Sequence, residues 1–288
     1  MKIRAGCVPC LLGRTLYETD LIDSSMALRV MEEASKIIGS YDLKDACSAD
    51  VATKVHRATY SILGNRDPYK VIKNRCNQTV LSLFPKAEKM IEGSEDRLKC
   101  AVLCSIIGNV LDFGLPSSPE SPEKLMEQFD NLVSEGLDSD DTEKIKAYLE
   151  KGGKVLYFAD NCGEIVLDKL LCKEIKKFDV HLSLVVRGEP ILTDATIEDV
   201  KEFGLDEVVD EVLTTGCFAV GVDFENLPEE LSKALQGANL IISKGMANYE
   251  TFSETNYKPI AHLLRTKCEP VAEDMGLRTD INVVKVYE

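Results

Sequence analysis

Apolar residues recur at three- and four-residue spacing through Ser25 to Ile38, Ala46 to Leu63, Val80 to Ile91 and Arg97 to Leu111, which predicts amphipathic helices. Past residue 150 the period changes. Short apolar runs rich in branched residues predict strands at Lys154 to Ala159, His181 to Val186, Glu207 to Val212, Asn239 to Ser243, Ala261 to Arg265 and Ile281 to Tyr287. Helical patterns over Glu164 to Lys177, from near Asp194, and over Pro228 to Leu235 lie between them. Such alternation predicts an α/β fold, a Rossmann-like doubly wound and mostly parallel sheet over residues 151–288, preceded by an N-terminal all-helical domain over residues 1–150. The Pro/Ser-rich stretch from Gly114 to Pro122 reads as a breaker loop, with Ser118 or Ser121 placed to cap a helix running toward Leu137. No GxGxxG or GxxxxGK[ST] pattern follows a strand, so dinucleotide and P-loop nucleotide binding lose their usual support.

A chain of 288 residues with 44% hydrophobic residues can bury a substantial core, as one large domain or two of ordinary size. Its net charge of −15 opposes nonspecific attraction to nucleic acid and to anionic membranes, which leaves a small molecule as the expected partner. A phosphorylated partner would need local compensation from lysine, arginine, helix N-termini or metal. No apolar run approaches the roughly 20 residues of a membrane span, and the stretch from Met1 to Cys7 lacks a signal-peptide pattern. The expectation is a soluble, cytoplasmic protein.

Ten cysteines scattered through a chain of this size do not suggest a disulfide scaffold, and Cys47, Cys76, Cys100, Cys104 and Cys172 read as small buried hydrophobes. Cys7-Val-Pro-Cys10 is a CxxC, which can bind zinc, cycle through a disulfide or pack. No second CxxC or histidine pair completes a zinc site within the chain, so a structural or redox-sensitive role is expected. The alternative is an intersubunit metal site completed by Cys76 or Cys268.

The chemistry gathers at strand ends. Asp160 and Asn161 follow the first strand, Arg187 and then Asp194 follow the second, and Lys244, Gly245 and Asn248 follow Leu240-Ile-Ile-Ser243. In an open α/β sheet these edges share one crevice. Oxygen donors from Asp160, Asn161 and Asp194 suit a divalent cation such as Mg²⁺ or Mn²⁺, with Lys244 and Lys267 offsetting charge on a transferring phosphoryl group. The plainer readings are that Asp-Asn and Lys-Gly are turns and that Asp194 caps a helix over Ala195 to Phe203. None of His56, His181 and His262 is expected to be catalytic, and Cys162, with no histidine to activate it, reads as a bystander.

Four segments carry a resemblance: Asp160-Asn161-Cys-Gly-Glu164, Thr193-Asp194-Ala-Thr196, Lys244-Gly245-Met-Ala-Asn248-Tyr249 and Arg265-Thr-Lys267-Cys268. Together they resemble the metal-dependent damage-control phosphatases, whose domain is also called acidic-residue-methyltransferase-like, and in particular the stand-alone prokaryotic branch with an N-terminal CxxC. The resemblance implies metal binding by Asp160, Asn161 and Asp194; Asp160, Asp194 and Lys244 are the expected catalytic residues. It implies substrate contacts from the segment Lys244-Gly245-x-x-Asn248 and from Lys267; Glu164 and Arg187 are expected to contact substrate as well. Gly108-Asn109-Val-Leu-Asp112 also resembles a family segment, which adds Asn109 and Asp112 as substrate contacts from the helical part. Asp67-Pro68-Tyr69 resembles another, read as helix initiation with Pro68 in the first turn.

The implied reaction is hydrolysis of small phosphorylated metabolites, such as sugar phosphates or damaged phosphometabolites, with manganese, cobalt, nickel or magnesium as cofactor. One departure stands out, because the eukaryotic branch carries Arg-Thr-x-Lys and this chain places Lys267 one residue early. In a strand that shift reverses the side-chain face and leaves Arg265 to share the task. Two other readings are carried: carboxyl methylation using S-adenosylmethionine, weakened by the single Gly163 after the first strand, and a noncatalytic metal- or thiol-linked module around Cys7 and Cys10.

Overall fold

The computed structural model describes residues 1–108 and 122–288. The expectations for Asn109, Asp112, Ser118 and Ser121 lie outside these residues. The N-terminal part runs through α1 (Cys7–Ile22), α2 (Ala27–Gly39), α3 (Ser48–Leu63), α4 (Lys70–Gly93), α5 (Arg97–Gly108), α6 (Pro122–Glu135), the two-residue strand β1 (Ser139–Asp140) and α7 (Thr142–Glu150). Beyond it come β2 (Gly153–Phe158), α8 (Glu164–Ile175), β3 (Val180–Val186), α9 (Ile197–Glu202), β4 (Glu211–Thr214), α10 (Glu229–Gln236), β5 (Leu240–Lys244), α11 (Gly245–Phe252), β6 (Ile260–Arg265), α12 (Glu269–Met275) and β7 (Asn282–Tyr287).

The seven strands form one sheet in the order β1-β7-β6-β5-β2-β3-β4, parallel throughout except for the β6–β7 pair. Side chains alternate along β2. Val155 and Tyr157 enter one apolar cluster with Val80, Ile107 and Ile165 from α4, α5 and α8, and Leu156 and Phe158 enter a second with Leu231, Leu235 and Phe252 from α10 and α11. Both faces of the sheet are therefore covered, as a parallel sheet of apolar runs requires. The first of these clusters draws residues from both sides of position 150, and β1, inside the stretch expected to be all-helical, extends the sheet beside β7.

Several boundaries differ from the sequence expectation for identifiable reasons. The fourth strand starts at Glu211, because Leu205 accepts the backbone N–H groups of Val208 and Val209 and closes a turn over the first residues of the expected strand. α4 begins at Lys70, so Pro68 precedes the helix; Asp67 instead pairs through its carboxylate with Lys73 at 2.8 Å. The same helix runs on through Pro85, which removes one backbone donor from its interior. α1 has no counterpart in the sequence expectation: its buried residues are Leu11, Thr15, Glu18 and Thr19, a face with little apolar character to read.

His262 lies on β6 in edge contact with Tyr249 and Tyr287, and among the described residues its Nδ1 has no hydrogen-bond partner. Burial pulls its pKa down to about 3. An unfolded histidine titrates near ~6.5, so as pH falls below that value the unfolded chain takes up a proton that the folded chain refuses, and stability declines. The cost reaches about 2 kcal/mol at pH 5. His262→Phe is expected to flatten the loss of urea resistance between pH 7 and pH 5; equal losses in both proteins would place the acid sensitivity elsewhere.

Candidate active site

β2 is an interior strand of the sheet, with β3 on one side and β5 on the other, so its C-terminal end lies where successive connections leave in opposite directions. Such a switch point opens a crevice. Asp160 and Asn161 stand there, just past Phe158. Asp194 reaches them because the connection after β3 folds back. The Cys162 N–H donates to the Thr193 carbonyl at 2.7 Å and the Ala195 N–H to the Asp160 carbonyl at 2.8 Å, so that Asn161 and Asp194 form an antiparallel bridge. Thr196 opens α9, its backbone N–H donating to Asp199 at 2.8 Å, which corrects the reading of Asp194 as a helix cap.

Both carboxylates are almost wholly buried, Asp160 at 5% exposure and Asp194 at 4%. Arg187, at the end of β3, lies beside them: its Nε donates to Asp194, its Nη1 to the Gly221 carbonyl at 2.6 Å, and its Nη2 sits 3.8 Å from Asp160. One guanidinium therefore faces two acids. The Asn161 amide donates to Asp160 at 2.7 Å, and its oxygen accepts from the Thr193 hydroxyl at 2.7 Å. Two acids and an amide oxygen, short of one positive charge, fit a hard divalent cation. Among the described residues no three His, Cys, Asp or Glu side chains gather as a metal-binding group, so a cation held here would draw on the amide oxygen as well as the two acids.

A cavity of about 170 Å³ opens over these residues, with Asp160, Asn161, Thr193 and Asp194 in its wall. Its opposite wall comes from the helical part. Ser48, Ala52 and His56 recur at four-residue spacing on α3, and Cys7, Cys10, Leu11 and Arg14 line it from α1. Lys267 and Cys268 complete the rim. β6 has ended by Arg265, so strand alternation no longer governs Lys267; it faces the cavity while Arg265 turns to Glu135 at 2.8 Å and Asn282 at 3.0 Å. The expectation that Arg265 shares the task of Lys267 is corrected accordingly. Burial raises the Cys7 thiol and pushes Cys268 up to about 12, so neither is an activated nucleophile. Cys162 is likewise raised, first by burial and then by Asp199, and its sulfur lies 3.3 Å from that carboxylate.

Lys244 takes a different place from the one expected. It is fully buried at the end of β5, where its ammonium donates to Glu164 and, at 2.9 Å, to Asp168. Glu164 in turn accepts the Asn161 backbone N–H at 3.3 Å. Neither Lys244 nor Glu164 is in the cavity wall, and Asn248 is not either: its amide donates to the carbonyls of Ala159 at 3.1 Å and Lys244 at 2.8 Å, bracing β2 against α11. Gly245, with φ of +73°, lies directly against the Asp160 carboxylate. These residues support the donor set from beneath.

Two supports come from positions with no signal in the sequence. Asn77 on α4 accepts the Gly163 N–H at 2.6 Å and donates to Asp199 at 2.9 Å, tying the loop after β2 to the first turn of α9, which follows Asp194. The Tyr60 hydroxyl accepts the Leu192 N–H at 3.0 Å, where Leu192 adopts a left-handed φ of 48°. Such a conformation in a branched residue costs energy and persists where surrounding contacts enforce it.

The family described as Damage-control phosphatase ARMT1-like domain matches residues 3–283. A damage-control phosphatase of Archaeoglobus fulgidus is 44% identical over the full length of both chains. Another from Pyrococcus horikoshii is 30% identical over 96% of this chain and 94% of its own. A crystal structure of a DUF89 family protein from Pyrococcus horikoshii superposes with a TM-score of 0.89, at 28% identity and with both chains covered completely. The chain belongs to the damage-control phosphatase family.

Proposed function

We propose that this phosphatase hydrolyses small phosphate monoesters bound in the cavity above Asp160, Asn161 and Asp194. The observation that carries the reading is the convergence of two buried carboxylates and an amide oxygen on one cavity at the switch point of the sheet. These three residues would hold a divalent cation: magnesium, manganese, cobalt or nickel. When bound, such a cation polarises phosphoryl oxygens and lowers the pKa of water. Arg187 orients the acids from behind, while Lys267 and Arg14, both in the cavity wall, supply positive charge toward the ester's phosphate. Lys244 and Glu164 act through the backbone of Asn161, and Asn248 and Gly245 through Asp160 and its strand. The cavity suits a metabolite-sized ester. Substrates in the class of sugar phosphates or damaged phosphometabolites follow from the family's name and from this size. The acidic chain and the absence, among the described residues, of a helix long and apolar enough to cross a membrane agree with a small-molecule partner.

Metal-stripped protein resupplied in turn with the four cations is expected to regain hydrolysis of para-nitrophenyl phosphate. Asp194→Asn should lose at least about 100-fold in turnover at every cation concentration, because it removes a charged oxygen donor and the partner of Arg187. Full metal-dependent turnover in Asp194→Asn would overturn the assignment, as would saturable binding of S-adenosylmethionine with methyl transfer.

A further inference from the structure

His56 carries no catalytic signal in the sequence, yet its surroundings are those of an oriented acid–base group. The imidazole is 1% exposed and its Nδ1 lies 2.8 Å and 3.0 Å from the two carboxylate oxygens of Glu18, itself fully buried on α1. Among the described residues no hydrogen bond engages Nε2, and His56 is part of the wall of the cavity that also holds Asp160, Asn161 and Asp194. Glu18 lies one turn beyond Arg14 on the cavity side of α1. A carboxylate fixed on Nδ1 sets both the ring orientation and the nitrogen left to exchange protons.

A histidine stacked in a core needs no buried acid behind it; His262, in the same protein, is packed against two tyrosines, and among the described residues its Nδ1 meets no carboxylate. A buried acid costs several kcal/mol in desolvation and is retained where it acts on a partner. Hydrolysis of an alkyl phosphate raises a problem that the acids at the strand ends do not address, since the departing alkoxide is strongly basic and requires a proton as the P–O bond breaks.

We propose that His56 is the general acid of this reaction and that Glu18 positions it, a role that rests on the phosphatase reading above. Water adds to phosphorus as the bond from phosphorus to the ester oxygen breaks. That oxygen takes the proton of His56 Nε2 and leaves as the alcohol. The proton shed by the attacking water is released to solvent, and solvent returns one proton to the imidazole, so each turnover consumes one ester and one water and yields one alcohol and one phosphate.

Leaving-group dependence tests this. para-Nitrophenolate departs without assistance, whereas the alkoxide of glycerol 2-phosphate does not. In metal-loaded enzyme, His56→Gln is expected to lower kcat/KM for glycerol 2-phosphate by roughly 100-fold or more beyond any fall with para-nitrophenyl phosphate, within the range of general acid catalysis. Glu18→Gln should show the same selective loss to a smaller extent. In the ¹⁵N spectrum of native protein, inorganic phosphate should move the His56 Nε2 resonance, a readout that requires no variant to fold. Equal losses with both esters, unchanged selectivity in Glu18→Gln, or an Nε2 resonance indifferent to phosphate would each overturn the role. Native enzyme inactive on both esters with every cation would instead overturn the phosphatase reading, and the role of His56 with it.

Discussion

Gly245→Ala is expected to abolish metal-dependent turnover while leaving most of the fold intact. A β-carbon at this position would stand 1.8 Å from Asp160 Oδ2 and 2.3 Å from its Cγ, far inside contact distance. Asp160 cannot retreat easily, because Asn161 holds its carboxylate, Arg187 stands beside it, and Asn248 grips the carbonyl of the preceding residue, Ala159. Displacement of one donor of a compact set lowers metal affinity by about 100-fold or more. The backbone adds its own penalty, since φ of +73° disfavours any residue with a β-carbon by about 1–2 kcal/mol.

The two effects can be separated with Gly276, which caps α12 at φ of +70° and would leave the methyl group of an alanine with nothing inside 4 Å among the described residues. Gly276→Ala should therefore show the stability loss alone. Calorimetric titration with Mn²⁺ or Co²⁺, paired with thermal melting, reads both variants. Normal affinity in Gly245→Ala would mean that Asp160 is not held where the donor set requires it.

The second large effect is expected from Lys244→Met. Its ammonium is the buried counter-charge to Glu164 and Asp168, both wholly inaccessible to solvent, so removal takes an ion-pair partner from two buried carboxylates at once. Breaking a buried pair in this way typically costs about 3–5 kcal/mol. For a chain of this length that corresponds to a fall in Tm of about 10 °C. A lysine acting directly on a phosphoryl group would instead lose kcat with little change in Tm, so the two measurements distinguish a support from a contact. Replacement of all three residues by Met, Gln and Asn should restore most of the stability. Burial pulls the Lys244 pKa down, but Asp168 and Glu164 outweigh it and hold the group above its ordinary value. Its contribution is thus fully present below the ordinary lysine value of ~10.4 and is lost as pH rises through the higher folded value. An intact Tm in Lys244→Met would refute the support.

What could be read from the sequence follows the range of the interactions involved. The β2 strand and the acid pair at its end are local: an apolar run buried on both faces, stopped by polar residues. The β5 edge with Lys244 and Gly245 is legible for the same reason, and so is the rest of the sheet except β1, whose two residues carry no apolar run. The direction of Lys244 is not, since it depends on Asp168, far away in the chain and within a helix where an acid carries no special mark. Asp194 can be nominated from its motif, but its meeting with Asn161 is made by backbone hydrogen bonds between two loops.

α1 escapes a reading by periodicity because beyond Leu11 its inward face is Thr15, Glu18 and Thr19, and the same polar face conceals the one acid that would draw attention to His56. The direction of Lys267 is hidden because it lies past the end of the strand at Arg265, where alternation no longer applies.

The tie from Asn77 to Gly163 and Asp199 also bears on how such a protein can be recombined. A chimera that took its sheet from one relative and its helices from another would join donor loops to a helix chosen for different loops. The Gly163 N–H, deep in the chain's interior, would then be matched only if the foreign α4 offered an amide at the same point. Inheritance of the acid loops and of α4 is coupled by one side chain, so crossovers between them should be the rarest among functional shuffled sequences.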